Sequence, residues 1–156
     1  MSRLMPAAVF AMVAVMATAQ TVSADMSRTV ISAFKGQLVV SKDELPTGKT
    51  DKDTIAQIKK AQLKELTGSA GEDNTTWNFH YTAFLSKTGA KALKLEFMKG
   101  KQLAADKQLD GIDPKSGVLS GDITIDENEG LAKGNTYTIE LLSGSSVVSK
   151  TTLIMK

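Results

Sequence analysis

Leu131-Ala132-Lys133-Gly134-Asn135-Thr136-Tyr137 leads into a run in which Tyr137, Ile139 and Leu141 share one parity and Thr136, Thr138 and Glu140 the other. Alternation at period two marks a strand with one buried and one wet face. The residues ahead of the strand have separate physical uses. A leucine can plug a core, a glycine permits a tight path, and a tyrosine brings apolar bulk together with one hydrogen-bonding hydroxyl. An arch between two sheets needs that combination, because it leaves backbone polar groups partly buried. The stretch therefore predicts a strand entered through an arch.

The same alternation recurs outward from it. Trp77, Phe79, Tyr81, Ala83 and Leu85 share a face opposite Asn78, His80 and Thr82. Leu93, Leu95 and Phe97 alternate with Lys94 and Glu96, and Leu119, Ile123 and Ile125 with Ser120, Asp122, Thr124 and Asp126; Gly121 falls in the apolar register. The final run offers Val147, Leu153 and Met155 on one parity and Val148, Thr152 and Ile154 on the other, so its inner face stays open. Gln37–Lys42 is the best strand upstream.

Lys87-Thr88-Gly89-Ala90 and Lys99-Gly100-Lys101 are short turns, which predicts consecutive hairpins for the three strands they join. Asp110–Gly117 is a longer connection, and Ser143-Gly144-Ser145 closes a last hairpin. One segment breaks the β pattern. Asp51–Leu66 favours helix, with Thr50 or Asp51 as cap, Gly68 just past the end, and Ile55, Ile58, Leu63 and Leu66 on one broad face. Lys59 falls within that face, which suits a snorkelling side chain or a short surface element.

Leu131-x-x-Gly134-x-x-Tyr137 resembles the tyrosine corner of Greek-key β-sandwiches, in which a tyrosine opening the penultimate strand bonds back to the backbone upstream. The resemblance covers about residues 75–156 and implies an immunoglobulin-like or fibronectin-III-like fold. The expected architecture is mainly β, an antiparallel two-sheet Greek-key sandwich of about seven strands with one short helix, about 51–66, inserted after the first strand. A small up-and-down β-barrel is the alternative. The inter-sheet cysteine pair of antibody-type domains is missing, and Trp77 is the candidate core tryptophan, on an earlier strand than is usual.

Met1–Ala24 reads as an export signal. Arg3 gives the positive start, Leu4–Met16 an uncharged run of about 13 residues, and a small, polar stretch follows. That run is too short for the roughly 20 residues of a bilayer-spanning helix. Cleavage after Ala24 is preferred over cleavage after Ala19, leaving 25–156 as a single domain. The expected site of action is periplasmic or extracellular.

Of 156 residues, none is cysteine and one is histidine, so thiolate sites, disulfides and multi-histidine metal centres are excluded. The 19 basic and 17 acidic residues give a net charge of +2, or +1 without Arg3, too little for a nucleic-acid partner. Nothing suggests a membrane role after signal cleavage. No phosphate-binding glycine loop, dinucleotide fingerprint or nucleophile elbow is present.

The remaining candidates are weak. His80 reads as a solvent-facing strand residue, without an oriented partner to make it a base. Asp126-Glu127-Asn128-Glu129-Gly130 is dense enough to consider for calcium, but it lacks the EF-hand order. It is also roughly 25 Å from Asp110 and Asp113, at ~3.3 Å per strand residue. Lys87, Lys91, Lys94, Lys99, Lys101 and Lys107 suit edge-strand protection, or an anionic polymer docking on Lys91–Lys101. Asn74-Thr75-Thr76 is formally a glycosylation sequon. No catalytic, cofactor or metal residue is assigned.

The sequence thus predicts an exported, non-enzymatic binding or structural domain, monomeric or weakly oligomeric, with a protein or surface polymer as partner. Its binding residues would lie in loops such as Leu45–Asp51, Thr67–Thr76 or Asp110–Gly117. The alternatives are a surface assembly or adhesion subunit donating residues 25–34 to a neighbour's sheet edge, and a small hydrolase or enzyme inhibitor.

Overall fold

The computed structural model describes residues 20–21, 26–86, 92–110 and 112–156. In chain order they form β1 (Gln20–Thr21), α1 (Arg28–Ala33), β2 (Leu38–Ser41), α2 (Asp51–Ala61), β3 (Glu65–Leu66), β4 (Ser69–Ala70), β5 (Thr75–Phe84), β6 (Leu93–Lys99), β7 (Gln102–Leu109), β8 (Val118–Asp126), β9 (Thr136–Ser143) and β10 (Ser146–Met155). Seven of these strands have four residues or more. Sheet I runs β1-β8-β5-β2, with β4 also on β5; sheet II runs β3-β10-β9-β6-β7. Two separate sheets, not a barrel, enclose the core. The expected cleavage sites and residues 87–91 lie outside the described residues or at their margin.

The arch before β9 is built as its residues dictate. Tyr137 is buried at the start of β9, and its hydroxyl accepts a hydrogen bond of 2.8 Å from the Ala132 N–H. Leu131 is buried beneath it, and Gly134 takes φ +87°, a conformation that favours glycine. This is the tyrosine corner.

One expected hairpin does not form. β5 pairs with β8 and β2, whereas β6 pairs with β7 and β9, so the chain crosses between sheets after β5. The β6–β7 hairpin forms as expected, through Gly100 at φ +63°. Crossing lets Trp77, Phe79 and Tyr81 of β5 face Leu95 and Phe97 of β6 across the sandwich instead of lying beside them. Phe79 and Phe97 meet edge-on, with ring centroids 6.4 Å apart. Trp77 is fully buried and donates its Nε1–H to the Lys156 carbonyl at 3.1 Å, so it is a core tryptophan.

The undecided inner face of β10 has a physical cause. The register with β9 shifts between Val147 and Ser149. An irregularity of this kind flips parity. Val148, the residue at the shift, is therefore buried, as are Leu153 and Met155 after it, while Val147 before it stays exposed.

The helix is shorter than its composition predicts. Thr50 caps it, accepting from the Asp53 N–H at 3.1 Å; Asp51 and Asp53 sit in the first turn, and Lys59 and Lys60 in the last. It stops at Ala61 because the next residues gain strand partners. The Leu63 N–H donates to the Val40 carbonyl, the Ile154 N–H donates to the Lys64 carbonyl, and Glu65–Leu66 pairs parallel with Ile154–Met155. Leu66 is buried by this pairing and not by a helical face, so tertiary hydrogen bonds override local propensity. Gly68 then serves close packing, since a Cβ there would lie 2.3 Å from Thr75 Cγ2.

A second helix was not expected. Within the segment considered as a donated strand, Arg28–Ala33 is helical, and Val30 and Phe34 bury in their own domain. Ser27 caps α1 and ties it to α2 by donating from Oγ to Asp51 Oδ1 at 2.7 Å. Both helices lie on the outer face of sheet I. There Val30, Phe34, Leu45 and Ile58 pack on Val39, Phe84 and Val118 as a second, smaller core, with the Phe34 and Phe84 rings 5.2 Å apart.

Candidate functional site

Beyond the edge of that second core, the outer face of sheet I turns polar. On β5, His80 pairs across to Ser41 on one side and Asp122 on the other, with Thr82 two residues along. The expected solvent exposure of His80 is overturned, because only 8% of the residue is accessible. The roof of α1, α2 and the loop after β2 covers the face that a bare sandwich would leave wet. The signal lies in Phe84 and Val118, apolar residues that share the parity of His80 and of Asp122.

His80 Nδ1 lies 2.9 Å from Asp122 Oδ1. An ionised carboxylate only accepts hydrogen bonds, so Nδ1 carries the hydrogen and donates. The Asp122 side chain is itself 89% exposed, so the imidazole is anchored from the solvent side. Nε2 is buried and has no hydrogen-bond partner among the described residues. A buried polar atom without a partner is unfavourable by about 1–3 kcal/mol.

The ring borders a cavity of about 320 Å³, walled by Met26, Glu44, Leu45, Pro46, Thr47 and Thr82. Its size lies at the lower end of the roughly 300–1,000 Å³ typical of small-molecule sites. Of the three loops expected to bind, Leu45–Asp51 is the one that reaches His80. A wider groove of about 610 Å³ crosses the outer face of sheet II beside Thr136, Thr138, Lys150 and Thr152, but it borders no buried, unpartnered side-chain atom among the described residues.

Serine, histidine and aspartate meet here without forming a nucleophilic triad. A triad needs the nucleophile hydrogen-bonded to the base. Ser41 Oγ instead donates to the Asp43 carbonyl at 2.6 Å, and Nε2 receives nothing. The arrangement orients an imidazole; it does not activate a hydroxyl.

Tyr81, next in sequence, points into the main core opposite Gly121. Its hydroxyl is buried without a partner, and burial first, then the charge of Asp122, raises its pKa above the ordinary tyrosine range.

The other sequence candidates have structural roles. Asp126 and Glu129 form a reciprocal capping box around a 3₁₀ turn, and Glu127 Oε2 accepts from the Thr75 N–H at 3.0 Å. Glu129 also pairs with Lys107, and Lys94 with Glu96 at 2.7 Å, so the basic stretch is partly neutralised. Asp113 precedes β8, whose other end enters this turn, whereas Asp110 follows β7, whose Lys107 reaches Glu129. Asn74 closes a tight turn in which its carbonyl accepts from Gly71.

No protein-family model matches the chain, and no curated protein matches it. Among solved structures, the chain is similar to an immunoglobulin-like protein from Pseudomonas aeruginosa, at 12% identity and a TM-score of 0.40. That likeness covers 77% of this chain and 90% of the other. With two sheets ordered β1-β8-β5-β2 and β3-β10-β9-β6-β7 and a tyrosine corner opening the penultimate strand, the chain has an immunoglobulin-like β-sandwich fold.

Proposed function

We propose that the protein is an exported, non-catalytic binding domain whose ligand occupies the cavity beside His80. The observation that carries this reading is a cavity of about 320 Å³ bordered by the Asp122-held ring of His80 and walled by Met26, Leu45, Pro46 and Thr82. A concave space of this size with apolar walls and a few polar groups is the usual form of a small-ligand site. The charged start, short apolar run and small-residue stretch of Met1–Ala24 support export.

The test is affinity selection. Mature protein is exposed to a small-molecule extract of the source's envelope and washed, and the retained compounds are identified by mass spectrometry. Wild type is expected to retain a compound that Thr47→Trp loses, since Thr47 is an exposed cavity residue whose enlargement fills the space without disturbing the core. Identical retention by both proteins would refute the cavity as the binding site. Export is checked separately by the intact mass of protein recovered outside the cytoplasm. An uncleaved mass in every fraction would refute it.

A further inference from the structure

Resting on the export part of that reading, we infer that the leader is cut after Ala19, so that the mature domain starts at Gln20 and keeps β1. Two independent features meet at one peptide bond. Ala17-Thr18-Ala19 carries the small residues that a leader peptidase needs one and three positions before its cut. The next residue, Gln20, is the first of β1, which pairs antiparallel with β8 in the register Gln20↔Ser120 and Thr21↔Leu119. A cut at that bond removes the apolar run and leaves the strand whole. A cut after Ala24 removes both.

The fold has a use for the retained residues. β8 has β5 on one side and, among the described residues, β1 as its strand neighbour on the other. Without β1, the whole of Val118–Asp126 becomes a sheet edge with unpaired N–H and C=O groups. That edge is unevenly guarded. Its far half carries exposed Asp122 and Thr124 and ends in the capping box of Asp126, polar features that discourage stray strand pairing. Val118, Leu119, Ser120 and Gly121, in the near half, are buried and uncharged. β1 pairs with that half. A chain held in a sheet from its first residues also avoids the fraying of a loose terminus. The small, polar stretch ahead of Asp25 then serves as part of the connection from β1 to Ser27, the cap of α1.

The intact mass of protein recovered outside the cytoplasm reads the cut directly. The expected mass is that of residues 20–156, with or without the loss of one ammonia as the Gln20 α-amine bonds to its own side-chain amide carbon. The mass of residues 25–156 would overturn the inference and leave export standing, whereas an uncleaved mass in every fraction would overturn both. Amide hydrogen exchange on purified chains 20–156 and 25–156 tests the role of β1. Within Leu119–Ser120, exchange is expected to be about twofold to tenfold faster without β1, the equivalent of one hydrogen bond, with Trp77–Phe79 unchanged. Equal exchange in the two chains would overturn the assignment of β1 as the first strand of the mature domain.

Discussion

β5 and β6 are the central strands of opposite sheets, and both begin as alternating runs. β6 keeps the alternation: Leu93, Leu95 and Phe97 are buried, while Lys94, Glu96 and Met98 stay partly open. β5 loses it after Asn78, and every residue from Phe79 to Phe84 is buried. The difference lies outside both strands. Sheet II presents its outer face to solvent, whereas α1, α2 and the loop at Leu45 roof sheet I. A roof converts a wet face into a second interior, and polar residues at its margin become buried groups in need of partners. The candidate site at His80 is a product of that conversion.

The largest expected effect separates the two outer faces. Phe84→Ala should destabilise by about 3–5 kcal/mol, as for a buried aromatic, although it stands on the face a bare sandwich leaves wet. Thr138→Ala, on the outer face of sheet II, should change stability by no more than about 0.5 kcal/mol. Urea unfolding of both variants checks this. Equal small losses would mean that the roof contributes no second core.

The two tyrosines sharpen the comparison. Tyr137→Phe leaves the Ala132 N–H without its acceptor and should lower stability by about 1–2 kcal/mol. Tyr81→Phe removes a buried hydroxyl that has no partner, and unfolding should show no loss or a small gain.

Alkali tests the burial of Tyr81 in a second way. With its pKa raised by burial, Tyr81 keeps its proton in the native state above pH ~10, where the unfolded chain releases it. The native state then binds more protons, so stability falls as pH rises, by up to about 1.4 kcal/mol per pH unit from this residue. Below pH ~10 the effect vanishes. Tyr81→Phe should be less sensitive than wild type in unfolding measured between pH 9 and 11; equal slopes would contradict the burial of this hydroxyl.

The smallest effect concerns His80 itself. His80→Phe should cost little stability, because it exchanges an unpartnered buried nitrogen for apolar surface and leaves Asp122 in solvent. A loss comparable to that of Phe84→Ala would make the imidazole a structural element and not a ligand group.

How much of this the sequence carried follows from the same contrast. The tyrosine corner was legible because Leu131, Gly134 and Tyr137 act locally, over one arch. β6 and β9 were legible because one wet face stamps its period on the residues. Alternation alone puts His80 in solvent, because the outer face of its strand is covered by elements distant in sequence. The unbroken apolar run Leu38–Val40, together with Phe84 and Val118, was the available clue. The roof is half hidden in the sequence: the helical composition of Asp51–Leu66 outruns α2, since the pairing of Glu65–Leu66 with β10 is non-local, and Val30, Ile31 and Phe34 suit an extended segment as well as α1. The cavity walls at Met26 and Glu44–Thr47 have no signature of their own, because only the fold brings them to His80.

The central claim is that this face is roofed and that Asp122 fixes the imidazole beneath it. The most direct measurement is the tautomer of the single histidine in the ligand-free protein at neutral pH, read from its long-range ¹H–¹⁵N spectrum. The account predicts hydrogen on Nδ1 and a bare Nε2, and a spectrum that reverts when Asp122→Ala removes the acceptor. Hydrogen on Nε2 in the wild type, as in an imidazole exposed to water, would contradict it.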